Sequence, residues 1–481
     1  MVKTQCWKIL QTGWIFWSLV MVGVSDSLLG PSLLELQSLL QVDLQQLNFV
    51  VLSTGLGDFV GAILAGFLSK TCTCDLRLSV FVLLGSLSVA LSAVIPNYYY
   101  VLTLFTLQGF LRGFVYCYAI EKCNILWRQN KGVPFQCILL GTTTGGIISP
   151  LFIKLFLCIP YDPETSYVTS TNVSYINVNI SDLKHTVPYK PNTHSSELST
   201  SANASHNATL STSFRCLPQD VYITYAYYVL AILVLPPAIA FFVYWRQNMG
   251  KSSDDAVDVI REDVTNHEPR QTLVKLFSVL FVILYFPLLG SSVMYSTYLT
   301  EFGVKGPLHL EKPKMVMMTS LYWGSSLLGR IIAVFLTPFI GVEKLIYCSM
   351  VPLLIGETVL VFTVQYSEVI LWVCTCTIGL FISPYVGAGY AWCAKYVKFG
   401  PRIISASGAS LGLGAMALPF IGGVMFDVFG PMSYLYLCYS LYIFVVLVFF
   451  TMVILTRKMK APSLKLDVDV DTCQERLSPE K

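Results

Sequence analysis

The chain has 481 residues, 54% of them hydrophobic and only 12% charged, with 31 Lys+Arg set against 28 Asp+Glu. Soluble globular chains carry about 25% charge, so a soluble enzyme is excluded, and a net charge of +3 spread along the whole length excludes a nucleic-acid binder. Mean hydropathy is +0.64, and the apolar residues come in blocks of roughly 20, each long enough to cross the ~30 Å hydrocarbon core as a helix.

The first block follows Lys3 and Lys8 and has the outline of a signal peptide. It runs on past Asp26 to Leu34 without a small-residue cleavage site, so it reads as the first spanning helix. Twelve spans follow in order: 10–32, 47–69, 78–96, 99–121, 135–158, 221–244, 274–299, 315–338, 344–365, 369–393, 403–426 and 432–455. The fold class predicted is an all-α membrane protein in two six-helix halves. Residues 1–244 form the first half, 245–272 a charged cytoplasmic linker, 273–456 the second half and 457–481 a cytoplasmic tail.

Orientation follows from the basic residues. With the N-terminus inside, the cytoplasmic segments and their membrane edges hold 22 Lys/Arg, the outer loops hold six, and Arg112, Lys154 and Arg330 fall within spans. That asymmetry places both termini in the cytoplasm. The four N-x-[ST] sequons, at Asn172, Asn179, Asn203 and Asn207, all fall in the loop 159–220 that this orientation puts outside. Cys158 and Cys216 bracket that loop on its oxidising side, where a disulfide tying its ends and two free thiols are both open readings. A glycosylated outer loop points to the plasma membrane, and an endosomal or lysosomal membrane, which has the same topology, is the alternative.

The two halves echo each other. Span 5 carries Gly141-Thr-Thr-Thr-Gly145 followed by Pro150, and span 11 carries Gly408-Ala-Ser-Leu-Gly412 with Gly414 and Pro419. Glycines four apart line one helix face and admit a neighbouring helix closely. Internal repeats of six helices are a transporter pattern, with the substrate site near the midplane between halves that rock.

Ionisable groups inside spans cost roughly 2.5–3.5 kcal/mol each at the bilayer centre, so those retained face a cavity or a partner. Asp26 and Asp58 are candidates for binding a coupling cation, with a structural pairing to Arg112 as the competing reading. Arg112, Arg330 and Glu357 are read as structural charges, the last two as fasteners between helices. Aromatic faces hold sugar rings and hydroxyls bond their oxygens, so Thr143, Tyr285, Tyr295, Tyr298, Trp323 and Tyr385 are the candidate solute-contacting residues, although packing aromatics look the same in sequence. All five His lie in loops, which leaves no intramembrane haem or His-metal site, and no Walker A sequence is present. No catalytic residue, resident metal or cofactor is expected.

Leu29-Gly-Pro-Ser-Leu-Leu-Glu-Leu36, Tyr295-Ser-Thr-Tyr298, Tyr322-Trp-Gly324 with Gly329-Arg330, and Gly408-Ala-Ser-Leu-Gly412 with Pro419 carry a resemblance. Together with twelve spans and a sequon-bearing loop between spans 5 and 6, the chain resembles the major facilitator superfamily. Within it, the chain is similar to the subfamily of sodium-dependent glucose transporters and their domain-containing protein 4 relatives. The resemblance implies sodium-linked uptake of glucose or a related hexose by alternating access, with sodium as the coupling ion. Its partners are then a small polar solute and the lipid bilayer. An uncoupled facilitator, a carrier of another small organic solute and a non-transporting receptor-like member remain alternatives. The chain departs from the family pattern at Ser69-Lys70 after span 2, at Tyr116-Cys117-Tyr118 in span 4 and at Gly412-Leu413 in span 11, where relatives carry acidic residues.

Overall fold

A computed structural model describes residues 2–42, 44–69, 72–92, 94–95, 97–127, 131–153, 223–248 and 268–475. The sequons at Asn172, Asn179, Asn203 and Asn207, the Cys158 and Cys216 pair, and most of the linker lie outside the described residues. Within them the chain is helical. The first half contains α1 (Val2–Leu40), α2 (Leu44–Leu68), α3 (Cys74–Ser92), α4 (Tyr98–Leu126), α5 (Gly132–Ile153) and α6 (Ile223–Asn248). The second contains α7 (Glu268–Lys305), α8 (Lys312–Ile340), α9 (Val342–Thr363), α10 (Glu368–Ile382), α11 (Tyr385–Tyr396), α12 (Pro401–Phe429) and α13 (Met432–Glu475).

Ten helical stretches among the described residues are long and apolar enough to cross a membrane, and Leu52–Leu68 of α2 is a shorter apolar one. The twelve predicted spans therefore do not match that number one for one. The apolar stretch of α2 is described over Leu52–Leu68, and α5 only to Ile153. The span predicted over 369–393 is divided into α10 and α11 at Ser383-Pro384, where proline has no N–H to donate to the helical ladder. Buried hydroxyls return to their own helix, as Thr54 Oγ1 does to the Val50 carbonyl at 2.7 Å and Ser349 Oγ to Leu345 at 2.9 Å.

Glycines set the helix pairs, and they do so the same way in both halves. On α5, Gly141 and Gly145 lie against the backbone of α1 at Phe16 and Val20, while Gly23 of α1 lies against Thr142. Gly414 of α12 presses against Phe286 of α7, and Gly290 of α7 against Gly414. The α2–α4 seam interleaves Gly57 and Gly61 with Gly109 and Gly113; its counterpart sets Gly329 of α8 on Leu380 of α10. Any side chain at these points would occupy the neighbouring backbone.

Two ion pairs staple the start of α3 to the end of α4. Arg77 Nη1 and Nη2 donate to Glu121 Oε2 and Oε1 at 3.0 and 2.8 Å, and Lys122 Nζ meets Asp75 Oδ1 at 2.6 Å. The Arg77 guanidinium also lies 4.4 Å from the Tyr118 ring centre.

The halves meet through α2 with α12, α5 with α8 and α11, and α4 with α12. Gly66 N–H donates to Ser405 Oγ at 2.9 Å, and that hydroxyl donates to the Ala62 carbonyl. Asn124 Nδ2 donates to the Phe399 carbonyl at 2.7 Å, and Gln136 Nε2 to the Pro384 carbonyl at 2.8 Å. These bonds run from mid-span to the ends where α2 and α4 finish and α5 and α12 begin. They hold the halves together on that side.

Gly61→Val and Gly414→Val are each expected to destabilise the protein by more than about 2 kcal/mol through overpacking. Gly85→Ala, where an added Cβ meets nothing within 4 Å, should be silent. Thermal unfolding and size-exclusion profiles of the purified variants check this, and equal behaviour of all three would contradict the close-packed seams.

Candidate functional site

Three charged side chains from three helices of the first half converge. Arg112 on α4 reaches Asp26 of α1, Nη1 to Oδ1 at 2.7 Å, and Asp58 of α2, Nη2 to Oδ2 at 3.5 Å. The exposures grade across the cluster: 11% for the Arg112 side chain, 24% for Asp58 and 57% for Asp26. The glycine seam between α2 and α4 brings the acid and base side by side, since Gly113 rests on Asp58 itself. One guanidinium shared by two carboxylates leaves one carboxylate charge in excess. The pairing with Arg112 and an unneutralised acid thus coexist in one cluster.

Asp58 also faces the other half. A Cβ on Gly412 of α12 would sit 3.3 Å from Asp58 Oδ2, and Gly408, one turn away, lies against Cys117 of α4.

Arg330 on α8 spans the interface between the halves. Its Nε donates to Ser383 Oγ at 2.9 Å and its Nη1 to the Leu139 carbonyl of α5 at 2.6 Å, and it makes no ion pair among the described residues. It fastens helices by charge-assisted hydrogen bonds to neutral acceptors. Glu357 on α9 is buried, and its Oε2 has no hydrogen-bond partner among the described residues. The fastening role read for Glu357 from sequence has no bond at that oxygen, and no ion pair to Glu357 forms among the described residues.

The candidate solute residues divide. Tyr285 is buried with its hydroxyl donating to the Val386 carbonyl at 2.8 Å, and Tyr295 is buried with its hydroxyl 2.8 Å from Thr375 Oγ1. Tyr385 accepts a hydrogen bond from Tyr442 at 3.2 Å. These three hydroxyls are used within the second half. Tyr298 stacks with Phe426 and covers Gly422 and Gly423, away from the Asp58 cluster. Trp323 is half-buried, edge-on to Tyr322, and Thr143 is buried on α5. Sequence reasoning passed over Gln136 and Ser405, which join the halves. A glutamine within an apolar span was the available signal for the first; serine carries none. Gly408-Ala-Ser410-Leu-Gly412 spells a nucleophile-elbow pattern, but it lies inside α12 with Ser410 Oγ donating to the Val282 carbonyl at 2.7 Å, so no strand-to-helix turn presents the hydroxyl.

No family model matches the sequence. The structure superposes on the fucose transporter FucP in its outward conformation with TM-score 0.62 at 13% identity, covering 92% of this chain and 99% of that one. It superposes on the proton:xylose symporter XylE with TM-score 0.63 at 12% identity, covering 93% and 96%. The chain has the major facilitator fold.

Within that class it is similar to two kinds of curated protein. Major facilitator superfamily domain-containing protein 4A of Danio rerio is 23% identical, with 89% of this chain and 84% of that protein covered. Sodium-dependent glucose transporter 1 of Homo sapiens is 21% identical, with 84% and 71% covered. The resemblance read from short motifs in the sequence thus extends over most of the chain.

Arg112→Gln should destabilise the protein by about 3 kcal/mol, the scale of stranding a buried charge. Adding Asp58→Asn should recover part of the loss by removing one of two facing acids. Thermal midpoints of the single and double variants test the coupling; strict additivity would mean that Arg112 and Asp58 do not interact.

Proposed function

We propose that the protein is a secondary transporter of the plasma membrane that takes up glucose or a related hexose together with sodium. The observation that carries this reading is the Asp26–Arg112–Asp58 cluster. Its excess negative charge lies beside Gly412, where the two halves touch, so a monovalent cation bound there feels any movement of one half against the other. The names of relatives such as sodium-dependent glucose transporter 1 support the hexose and the ion. In this reading residues 1–244 and 273–456 rock about a midplane site, both termini are cytoplasmic, and the loop 159–220 is outside and glycosylated.

Alternating access then requires the bonds made by Ser405, Asn124, Gln136 and Arg330 across the interface to break when the cytoplasmic side opens. Trp323 and Thr143 remain the solute-contacting choices with hydroxyl or ring surface not assigned to another hydroxyl. A second reading, transport of a small organic anion, is favoured by Arg330, whose guanidinium has neutral acceptors and no acidic partner among the described residues.

Labelled-hexose uptake in cells expressing the chain, with external sodium present or replaced by choline, decides between these. Sodium-dependent accumulation that disappears in an Asp26→Asn, Asp58→Asn double variant is the expected result. A double variant with full sodium dependence removes the coupling site. No hexose uptake, with uptake of a labelled carboxylate that hexoses do not inhibit, would transfer the assignment to the anion reading.

A further inference from the structure

At the end of the bundle where α1 begins and α4 finishes, a cavity of about 1090 Å³ opens between the two halves. This exceeds the ~300–1,000 Å³ typical of a small-solute pocket, and Asp26, Asp58 and Arg112 do not line it. One wall is α1 and α5, with Ile9, Phe16 and Leu140. The other is α8 and α11, with Pro338. Lys131 and Lys395 stand in the same lining, and no Asp or Glu does.

The cavity is continuous with the surface that faces lipid. Ile9 is 63% exposed and Phe339, beside the lining Pro338, is 85% exposed; side chains of that size are covered by acyl chains in a membrane. Trp127, also in the lining, donates from its indole to Thr12 Oγ1 at 2.9 Å, with Lys8 Nζ 6.0 Å from its ring centre. A tryptophan anchored beside lysines is the side-chain combination of the headgroup level. Lys131 spends one donor on Asn124 Oδ1 at 2.7 Å, and burial pulls its ammonium below the usual lysine range. A nearby anion would offset that desolvation.

We propose that this crevice binds an anionic phospholipid of the cytoplasmic leaflet, its phosphate between Lys131 and Lys395 and an acyl chain along Ile9, Phe16 and Leu140. The apolar walls and the all-basic charge are complementary to that one molecule, and anionic lipids populate the leaflet to which the basic residues assign this end. The inference rests on that orientation and is independent of which solute is carried. Because opposite walls belong to opposite halves, a lipid seated there favours the arrangement in which the walls stand as described. It also sits next to Asn124, which bonds across the interface to Phe399.

Native mass spectrometry of the full-length protein in mild detergent, with dioleoylphosphatidylserine or dioleoylphosphatidylcholine added at equal concentration, tests the site. Wild type should retain the serine lipid in preference to the choline lipid. Lys131→Gln and Lys395→Gln should each lower that preference by about fivefold. Gly13→Phe fills the crevice from α1, at a position where a Cβ meets nothing within 4 Å; it should fold normally and lose both adducts. Equal retention of the two lipids by wild type, or serine-lipid retention unchanged in all three variants, would overturn the proposal.

Discussion

The bilayer supplies no water to satisfy a backbone amide, and the rest of the structure follows from that. Each spanning segment must bond its own N–H and C=O groups and becomes a helix. Helices in hydrocarbon gain nothing from hiding apolar surface from apolar surroundings, so they associate where their backbones can touch. Gly145 against Val20 in the first half and Gly414 against Phe286 in the second are such contacts. They recur between equivalent helices, which makes each half a rigid body. The same lack of water sends Thr54 and Ser349 back to their own carbonyls.

Charge is then placed by what the glycine seams leave open. The α2–α4 seam sets Asp58 beside Arg112, and α1 brings Asp26 to the other side of the guanidinium. At the helix ends the Arg77–Glu121 and Lys122–Asp75 pairs fix α3 to α4. These pairs are internal to one half and survive any rocking. Across the interface the bonds are different in kind: a serine hydroxyl, two side-chain amides and a guanidinium on a neutral carbonyl. Single hydrogen bonds to neutral acceptors exchange among partners at modest cost, about 1 kcal/mol between neutral groups and about 1.5–3 kcal/mol for the guanidinium. A join built from them can open and close, whereas buried ion pairs at the same places would lock it.

Much of this was legible in one dimension, and what escaped did so for definite reasons. The G-x3-G spacing on α5 and α12 reports a helix face and so marked real seams. Arg112 was named as a partner for the two aspartates because ionised groups within spans are too few to have many choices. The tyrosines misled more. In sequence Tyr285 and Tyr295 read as solute contacts, but their hydroxyls bond to Val386 and Thr375. An aromatic ring facing a neighbour helix and one facing a cavity have the same hydropathy and the same spacing. Glu357 looked like half of a pair because its composition suits one, yet no base stands at its Oε2 among the described residues.

By itself, the sequence determined that the chain is a multi-pass helical membrane protein with glycine-rich helix faces, because spans and faces are set by residues within about one helix length of each other. The tertiary structure decided which charges meet, which tyrosines pack, where a span breaks at Ser383-Pro384, and which side of the bundle is joined through Ser405, Asn124 and Gln136. Those outcomes depend on the rotation and depth of one helix against another. Hydropathy is nearly indifferent to both, and contacts between residues far apart in the chain settle them.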